Sequence, residues 1–399
     1  MNKLLRVIKL ISSAVMCLVL CSCQGNDNYD DKFTISANST VYSIEPNDYI
    51  DITNMDINDI EIVAYSEDNL FINEYNADDS KINIHIINTE THSDKVIGTA
   101  DWNVLYHYLY SVIDNRYFVI IPTSYESGLK STLYVYDIQN EQFYVGDEFY
   151  PHNIVHYMTD IDNNHIAYFY YENETCNWVI KKYDFERKQS EIIYEYEVSE
   201  NEAFSPTALC SNGDNLILAL QSYDEDYNLS TKLKMISYDG QEVGEISISN
   251  FDIDEISILK YFDGYYYFYG KNCSTIVDGA VTYDDYGMLS TIDNESFNTV
   301  SPINTLFAAP INLTNNIQND NHYNIFLAKK DIDNLDIVTV NTDNHKIHYL
   351  YVNVPECYYV HSAKSNECGD VAILKYSDEN FSSYSLVLVD NNTILSAIS

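Results

Sequence analysis

The 399-residue sequence predicts an all-β chain of seven antiparallel four-strand units, on one compositional fact and two periodic turn signals. The composition is strand-like: 38 Tyr with abundant Ile, Val and Thr, against only 12 Gly and 7 Pro. Aromatic and β-branched side chains suit a pleated, half-buried surface. The first turn signal is Asp68-Asn69, Asp114-Asn115, Asp162-Asn163, Asp214-Asn215, Asp263-Gly264, Asp320-Asn321 and Gly369-Asp370. The second is centred on Asn88, Asp137, Asp184, Asp239, Asp293, Asp343 and Asp390. Asn, Asp and Gly tolerate the positive φ that tight antiparallel connections demand, so both signals read as hairpin turns.

Each first turn is preceded by a strand candidate such as IEIVAY (60–65) or CYYVH (357–361) and followed by an apolar run such as RYFVII or HIAYFY. The copy that should open the sixth unit is poorly defined. An alternating strand such as LYVYD (133–137) or YSLVLVD (384–390) leads into each second turn. Each unit therefore reads strand–turn–strand–loop–strand–turn–strand, with a period of roughly 50 residues, which matches the blade of a β-propeller. The fold class is all-β: a seven-bladed β-propeller with four antiparallel strands per blade. The units resemble propeller blades in general. The WD-repeat signature and the kelch double glycines are missing, and the two tryptophans, Trp102 and Trp178, are too few for the tryptophan-docked type. Two closures stay open. The last unit can take all four strands from the C terminus, ending at TILSAI (393–398), or FTISANSTVYSIEP (33–46) can add an outer strand.

The N terminus reads as a targeting segment. Lys3, Arg6 and Lys9 precede an apolar run from Leu10 to Leu20. That run is too short for a membrane-spanning helix, which needs about 20 residues, and fits a secretory signal peptide. Leu20, Cys21, Ser22 and Cys23 follow, with a large aliphatic at −3 and a small residue at −1 relative to Cys23. This sequence resembles a bacterial lipoprotein lipobox. The resemblance implies cleavage before Cys23 and diacylation of its thiol, and two acyl chains make a stable membrane anchor. The expected organisation is a signal peptide over 1–22, a tether with a possible extra strand over 23–50, and the propeller over 51–399, on the extracytoplasmic side of the cell membrane.

The charge is strongly negative. There are 61 acidic against 21 basic side chains, a formal charge of −40, and removing residues 1–22 takes it to about −43. Such a polyanion is repelled by nucleic acid and by anionic headgroups, so neither is a partner. Only Arg116 and Arg187 remain beyond the targeting segment, which excludes a guanidinium clamp and the three-arginine site of sialidases.

Alternating connections of antiparallel strands fall at opposite ends of a sheet. One end of the ring carries the Asp/Asn turns, and the other carries the longer loops, where function usually sits. Those loops pair Tyr with acids: Tyr75 in EYNADDSK, Tyr125 in TSYESGLK, Tyr171 in YENETCN, then Tyr223, Asp224 and Asp226, then Tyr283, Asp284 and Asp285, with Asp331 and Asp333 in KKDIDNLD. The links between units add Trp102 and Tyr150. This set is the candidate binding face, since aromatic rings stack on apolar surfaces while carboxylates accept hydroxyls or hold cations. The plainer reading is that the acids solvate the loops.

No catalytic residue stands out. Asp224, Asp226 and Asn228 have the alternate spacing of a calcium loop, but Leu229 occupies the position of the sharp-turn glycine, and weak Ca2+ binding by several loops together is the extent of the metal expectation. Asp160, Asp162 and Asn164 begin similarly, with Asp162 already serving a turn. His152 and His156 lack the helix and the glutamate of a zinc motif. Nucleophile-elbow signatures are absent, and few or no disulfides are expected among Cys176, Cys210, Cys273, Cys357 and Cys368. The function read from sequence is a non-enzymatic binding or scaffolding surface for a protein or glycan partner. The alternatives are a glycan-active enzyme using a pair of loop carboxylates, and an accessory or sensor subunit of a membrane complex.

Overall fold

A computed structural model of the protein describes residues 41–399 apart from 56–59, 77–79, 102–107, 125–128, 153–156, 197–202, 224–228, 248–254, 263–264, 272, 278–279, 284–286, 294–299, 308–309, 317–322, 329–335, 342–346 and 378–382. The lipobox cysteine, Cys23, lies outside the described residues. Two short strands come first, β1 (Val41–Ile44) and β2 (Asp48–Ile50). The first sheet follows as β3 (Ile60–Ser66), β4 (Asn69–Asn76), β5 (Lys81–Asn88) and β6 (Asp94–Asp101). The second is β7 (Tyr108–Ile113), β8 (Tyr117–Ser124), β9 (Lys130–Asp137) and β10 (Gln142–Phe149). The third is β11 (Tyr157–Asp162), β12 (His165–Tyr171), β13 (Trp178–Asp184) and β14 (Gln189–Tyr196). The fourth is β15 (Ala203–Ser211), β16 (Asn215–Tyr223), β17 (Leu229–Ser237) and β18 (Glu242–Ser247).

The next sheet has β19 (Glu255–Phe262), β20 (Tyr265–Lys271), β23 (Gly287–Asp293) and β24 (Val300–Phe307). Its long central loop holds a hairpin of its own, β21 (Cys273–Val277) and β22 (Ala280–Tyr283). Then come β25 (Pro310–Asn316), β26 (Tyr323–Ala328), β27 (Ile337–Asn341) and β28 (Ile347–Val352), and last β29 (Tyr359–Ser365), β30 (Val371–Tyr376) and β31 (Tyr384–Val389), before a helix, α1 (Asn391–Ile398). Among the described residues the turn signals fall at strand ends as the repeat requires, with Asp68 between β3 and β4 and Asp137 closing β9, except Asp390, which leads into α1. The strand missing from the sixth repeat is β25. Its sequence, PINLTNN, opens with proline and carries three asparagines, so it lacks the apolar alternation of the others.

The first strands of successive sheets are neighbours: β3 beside β7, β7 beside β11, β11 beside β15, β15 beside β19, β19 beside β25, β25 beside β29, and β29 beside β3 again. Each sheet is thus packed on both faces, and its second strand reads as a continuous apolar run rather than an alternating one. In β8 the period of two divides that run between two cores. Phe118 and Ile120 join Phe71, Ile82 and Ile84 of the first sheet. Tyr117, Val119 and Ile121 join Ile166, Tyr168 and Tyr170 of the third. The Phe71 and Phe118 rings stack at 4.4 Å between centroids. Further cores lie between the third and fourth sheets around Phe169 and Leu218, and between the last sheet and the first around Ile62, Leu70, Leu374 and Leu386.

Ring closure differs from both versions expected. TILSAI is not a strand: Asn391–Ile398 is helical, with Asp390 as its N-cap accepting a hydrogen bond from Thr393 N at 2.6 Å. The side-chain oxygen that suits Asp to a hairpin turn also suits it to satisfy the free N–H groups of a helix start. Ile394 and Ile398, four residues apart, are buried against Leu350, Val352 and Val371. The fourth strand of the last sheet is β2, antiparallel to β31 with Asp48 opposite Leu388 and Ile50 opposite Leu386. The segment proposed as an extra strand contributes β1, but to the neighbouring sheet, parallel to β28 with Val41 opposite Tyr349 and Ile44 opposite Val352. Asn47, between them, accepts from Asp390 N at 2.8 Å and donates to Thr393 Oγ1 at 3.0 Å. Both ends of the described chain meet at one seam.

Replacing Asn47 by Ala should lower stability by about 1–2 kcal/mol, because two hydrogen bonds of the seam go with it. Urea titration measures this, and an unchanged midpoint would show that closure does not use them. Gly240 provides a second check. It has φ +86°, and a Cβ there would lie 1.6 Å from Ile193 O of the third sheet. Gly213, with φ +91°, has open space around it. Gly240→Ala should therefore cost about 3 kcal/mol or more and Gly213→Ala about 1 kcal/mol, read as a difference in denaturant midpoint.

Candidate functional site

The two ends of the sheets are built differently. At the end carrying the first turns, side chains tie one sheet to the next. Ser66 Oγ donates to Asn115 Oδ1. Glu67 N donates to Glu367 Oε1 at 2.8 Å, and Asn366 Nδ2 donates to Glu67 O at 3.0 Å. These three bonds run from the last sheet through the first to the second. Asp162 likewise spends its carboxylate locally, accepting from Asn164 N at 2.8 Å and facing His165 Nδ1 at 2.8 Å.

The link from β10 to β11 begins with Tyr150, Pro151 and His152, and it is pinned to the loop that follows β12. His152 N donates to Tyr171 O at 2.7 Å, Asn173 N to Tyr150 O at 3.3 Å, and Pro151 bridges Glu172. His152 Nδ1 lies 3.1 Å from Asn173 Oδ1. Rings continue inward from the link. His152 meets Tyr171 edge-on at 5.5 Å, Tyr171 meets Trp178 at 4.9 Å, and Trp178 stacks on Phe169 at 5.0 Å. At the outer end Tyr150 is 56% exposed. Glu172, Glu174 and Cys176 lie on the segment paired with the link, with Thr175 Oγ1 donating to Glu172 at 2.8 Å and Asn177 Nδ2 to Glu195 at 2.6 Å.

Of the residues singled out in the sequence, Tyr150 and Tyr171 are brought together here. Tyr171, however, is buried at 6% exposure, because it continues the inward face of β12 after Ala167 and Phe169. Tyr75 is also not on an open face: it follows Phe71 and Asn73 along one side of β4 and is 5% exposed in the core between the first two sheets. Tyr223 ends β16 and Tyr283 ends β22. Trp102, Tyr125, Asp224, Asp226, Asp284, Asp285, Asp331 and Asp333 lie outside the described residues, as do the calcium-like spacings that use some of them. Among the described residues no group of three or more His, Cys, Asp or Glu side chains could hold a metal ion. His152 and Trp178 were not assigned to the binding face from sequence. The usable signal was their strand phase beside Tyr150 and Tyr171.

Cys176, Cys210, Cys357 and Cys368 are free thiols. Cys176 is exposed, at φ +57°, beside the Tyr150 link. Burial in the core pushes the Cys210 thiol up to about 12. A maleimide at neutral pH should therefore label Cys176 well before Cys210, which should react only on unfolding. Peptide mapping of the label checks this order, and early labelling of Cys210 would contradict the packing described.

No protein-family model matches the sequence, and no curated protein is similar to it. Solved structures do share its fold. The Pan2 WD40 domain of Neurospora crassa is similar over 84% of this chain and 90% of its own, at 10% identity and a TM-score of 0.50. A chain of a mitotic checkpoint complex is similar over 90% of this chain and 99% of its own, at 9% identity and a TM-score of 0.51. The β-propeller domain of the Trilobed protease from Pyrococcus furiosus, described as having an open velcro topology, is similar over 85% of this chain and 98% of its own, at 11% identity and a TM-score of 0.53. At such identities the likeness concerns fold alone: the chain folds as a β-propeller.

Proposed function

We propose that this protein is a lipid-anchored propeller of the cell envelope that binds a protein partner without catalysing a reaction. The observation that carries the binding role is the Tyr150 link, where a ring 56% exposed stands on a backbone paired with the segment after β12. An exposed aromatic ring is a residue type that recognition surfaces use as an anchor. The general habit of propellers, including the chain found within a mitotic checkpoint complex, supports a protein as the partner. In this reading the ring has seven blades, the sixth carrying β1 as an extra edge and the seventh completed by β2. The lipobox at Cys23 supports attachment to the outer side of the membrane, about eighteen residues before β1.

Two measurements test the reading. Cys23→Ser should release the protein from washed membranes; retention without detergent would remove lipidation as the anchor. Cross-linking the full chain in intact cells should give one protein adduct in stoichiometric yield, absent when the chain is denatured before cross-linking. If no such adduct forms, the binding role fails.

A further inference from the structure

We propose that the axis of the ring holds a small organic carboxylate, bound by the Lys364 ammonium over the Tyr110 ring and drawn there by Lys260. This site lies apart from the Tyr150 link and goes beyond the protein-binding role, so either can fail without the other.

Lysines withdrawn from solvent follow one pattern in this fold. Lys181 lies 5.2 Å from the Phe149 ring centroid and donates to Asp147 at 2.8 Å. Lys234 lies 5.0 Å from that of Tyr196 and donates to Glu242 at 2.8 Å. Lys375 lies 4.4 Å from that of Tyr351 and donates to Asp336 at 2.9 Å. Lys364 breaks the pattern. It is only 5% exposed and lies 4.6 Å from the Tyr110 ring centroid, but its acceptor is the neutral Tyr110 hydroxyl. Among the described residues it has no carboxylate partner, although the chain carries 61 acidic side chains. An ammonium has three donors, and a buried charge without a counter-ion is costly, so Lys364 keeps both donors and charge for an anion. In the three complete cases that anion is a carboxylate.

The place of Lys364 is the axis itself. The first strands are edges of their sheets and stand next to one another around the circuit, so they enclose the axis. Ser362, in phase with Lys364 on β29, accepts from Ile62 N at 3.0 Å, and His361 Nε2 lies 3.1 Å from Ile60 O, so these side chains run along the inner edge of β3. Lys364 continues past that edge to Tyr110 on β7, two sheets away. A β-bulge sets its position. The register of β29 slips at His361, and Lys364 stands three residues beyond; that of β19 slips at Ser257, and Lys260 stands three residues beyond. Lys260 and Lys364 are the only lysine or arginine residues on the first strands, at one place in the repeat, and among the described residues neither has a carboxylate partner. Two such cations reverse the sign of the field locally in a chain of net charge −40 and concentrate anions there. The same net charge repels polyanions, so the guest is small.

Isothermal titration of the purified full chain with succinate, at constant ionic strength, tests the site. The unmodified protein should give a single-site isotherm. Lys364→Met should weaken binding about tenfold or more, as expected when a charge-assisted contact is lost. Lys260→Met, which acts through its field, should weaken it about threefold. Lys188→Met removes the same charge from an exposed turn, where the lysine lies over Tyr144, and should stay within about twofold of the unmodified protein. Without succinate, Lys364→Met should melt no lower than the unmodified protein, because it takes away a buried charge that has no counter-ion. Succinate should raise the melting temperature of the unmodified protein and leave that of Lys364→Met unchanged. No binding at millimolar succinate overturns the proposal, as does equal weakening by Lys364→Met and Lys188→Met, which would show a response to net charge alone. If Lys364→Met melts lower without succinate, the fold already meets that charge and the proposal fails. Chloride binding as tightly as succinate would make the guest a simple halide and overturn the carboxylate.

Discussion

A circuit of sheets is stable only if its two ends are joined, and the seam at β2 and β31 is where this chain meets that condition. Each sheet is sandwiched between neighbours, so opening one seam exposes two apolar faces. The seam here is reinforced from several directions. β2 pairs with β31, β1 extends the adjacent sheet, Asn47 holds the start of α1, and Ile394 and Ile398 fill the core beneath. The strands themselves are short, three and four residues. Pairing of that length would be weak alone, so closure depends on the helix and on the side chains that bind it to Asn47.

The same seam contains the one fully buried ion pair among the described residues. Lys375 Nζ of β30 lies 2.9 Å from Asp336 Oδ2, at the entrance to β27, and donates to Val352 O at 2.9 Å; Val352 N in turn donates to Asp336 Oδ2 at 2.6 Å. Burial pushes the Asp336 carboxyl upward, with Lys375 and the Val352 amide opposing that shift. Such a pair adds little net stability relative to an apolar substitute, yet loss of one partner costs about 3–5 kcal/mol because the other charge is stranded. The pair and its bonds to Val352 tie β30 to the β27–β28 pair.

Much of this was legible in sequence because turn residues report strand ends directly. The two Asp/Asn signals kept phase, and the sheets follow that phase, including the strands around Asp68, Asp137 and Asp239. What escaped were places where one residue type serves two structures. Asp390 is chemically as good a helix cap as a hairpin turn, and only the occupied edge of β31 decides between them. Asn315 and Asn316 disguised β25, whose place is set by pairing with β26 rather than by its own propensity. Tyr75 and Tyr171 were assigned to an open face for their nearness to acidic loops. Counting by twos from Phe71 and Phe169 would have turned both inward. Tyr150 differs because it lies one residue past the end of β10, where strand alternation no longer dictates direction.

The contrast between the two ends of the sheets explains why an excess of acids does not by itself mark a surface. At the first-turn end the carboxylates and amides are consumed in ties from sheet to sheet, as Glu367 is by Glu67 N and Asn115 by Ser66. Along the outer strands they are matched to lysines, as Glu141 is to Lys95 and Glu191 to Lys182. Both uses lower the cost of a chain carrying so many negative charges, because each carboxylate gains a donor in place of bulk water. Around Tyr150 the link is bonded to the segment after β12, the ring is 56% exposed, and Glu172 and Glu195 accept from neutral donors.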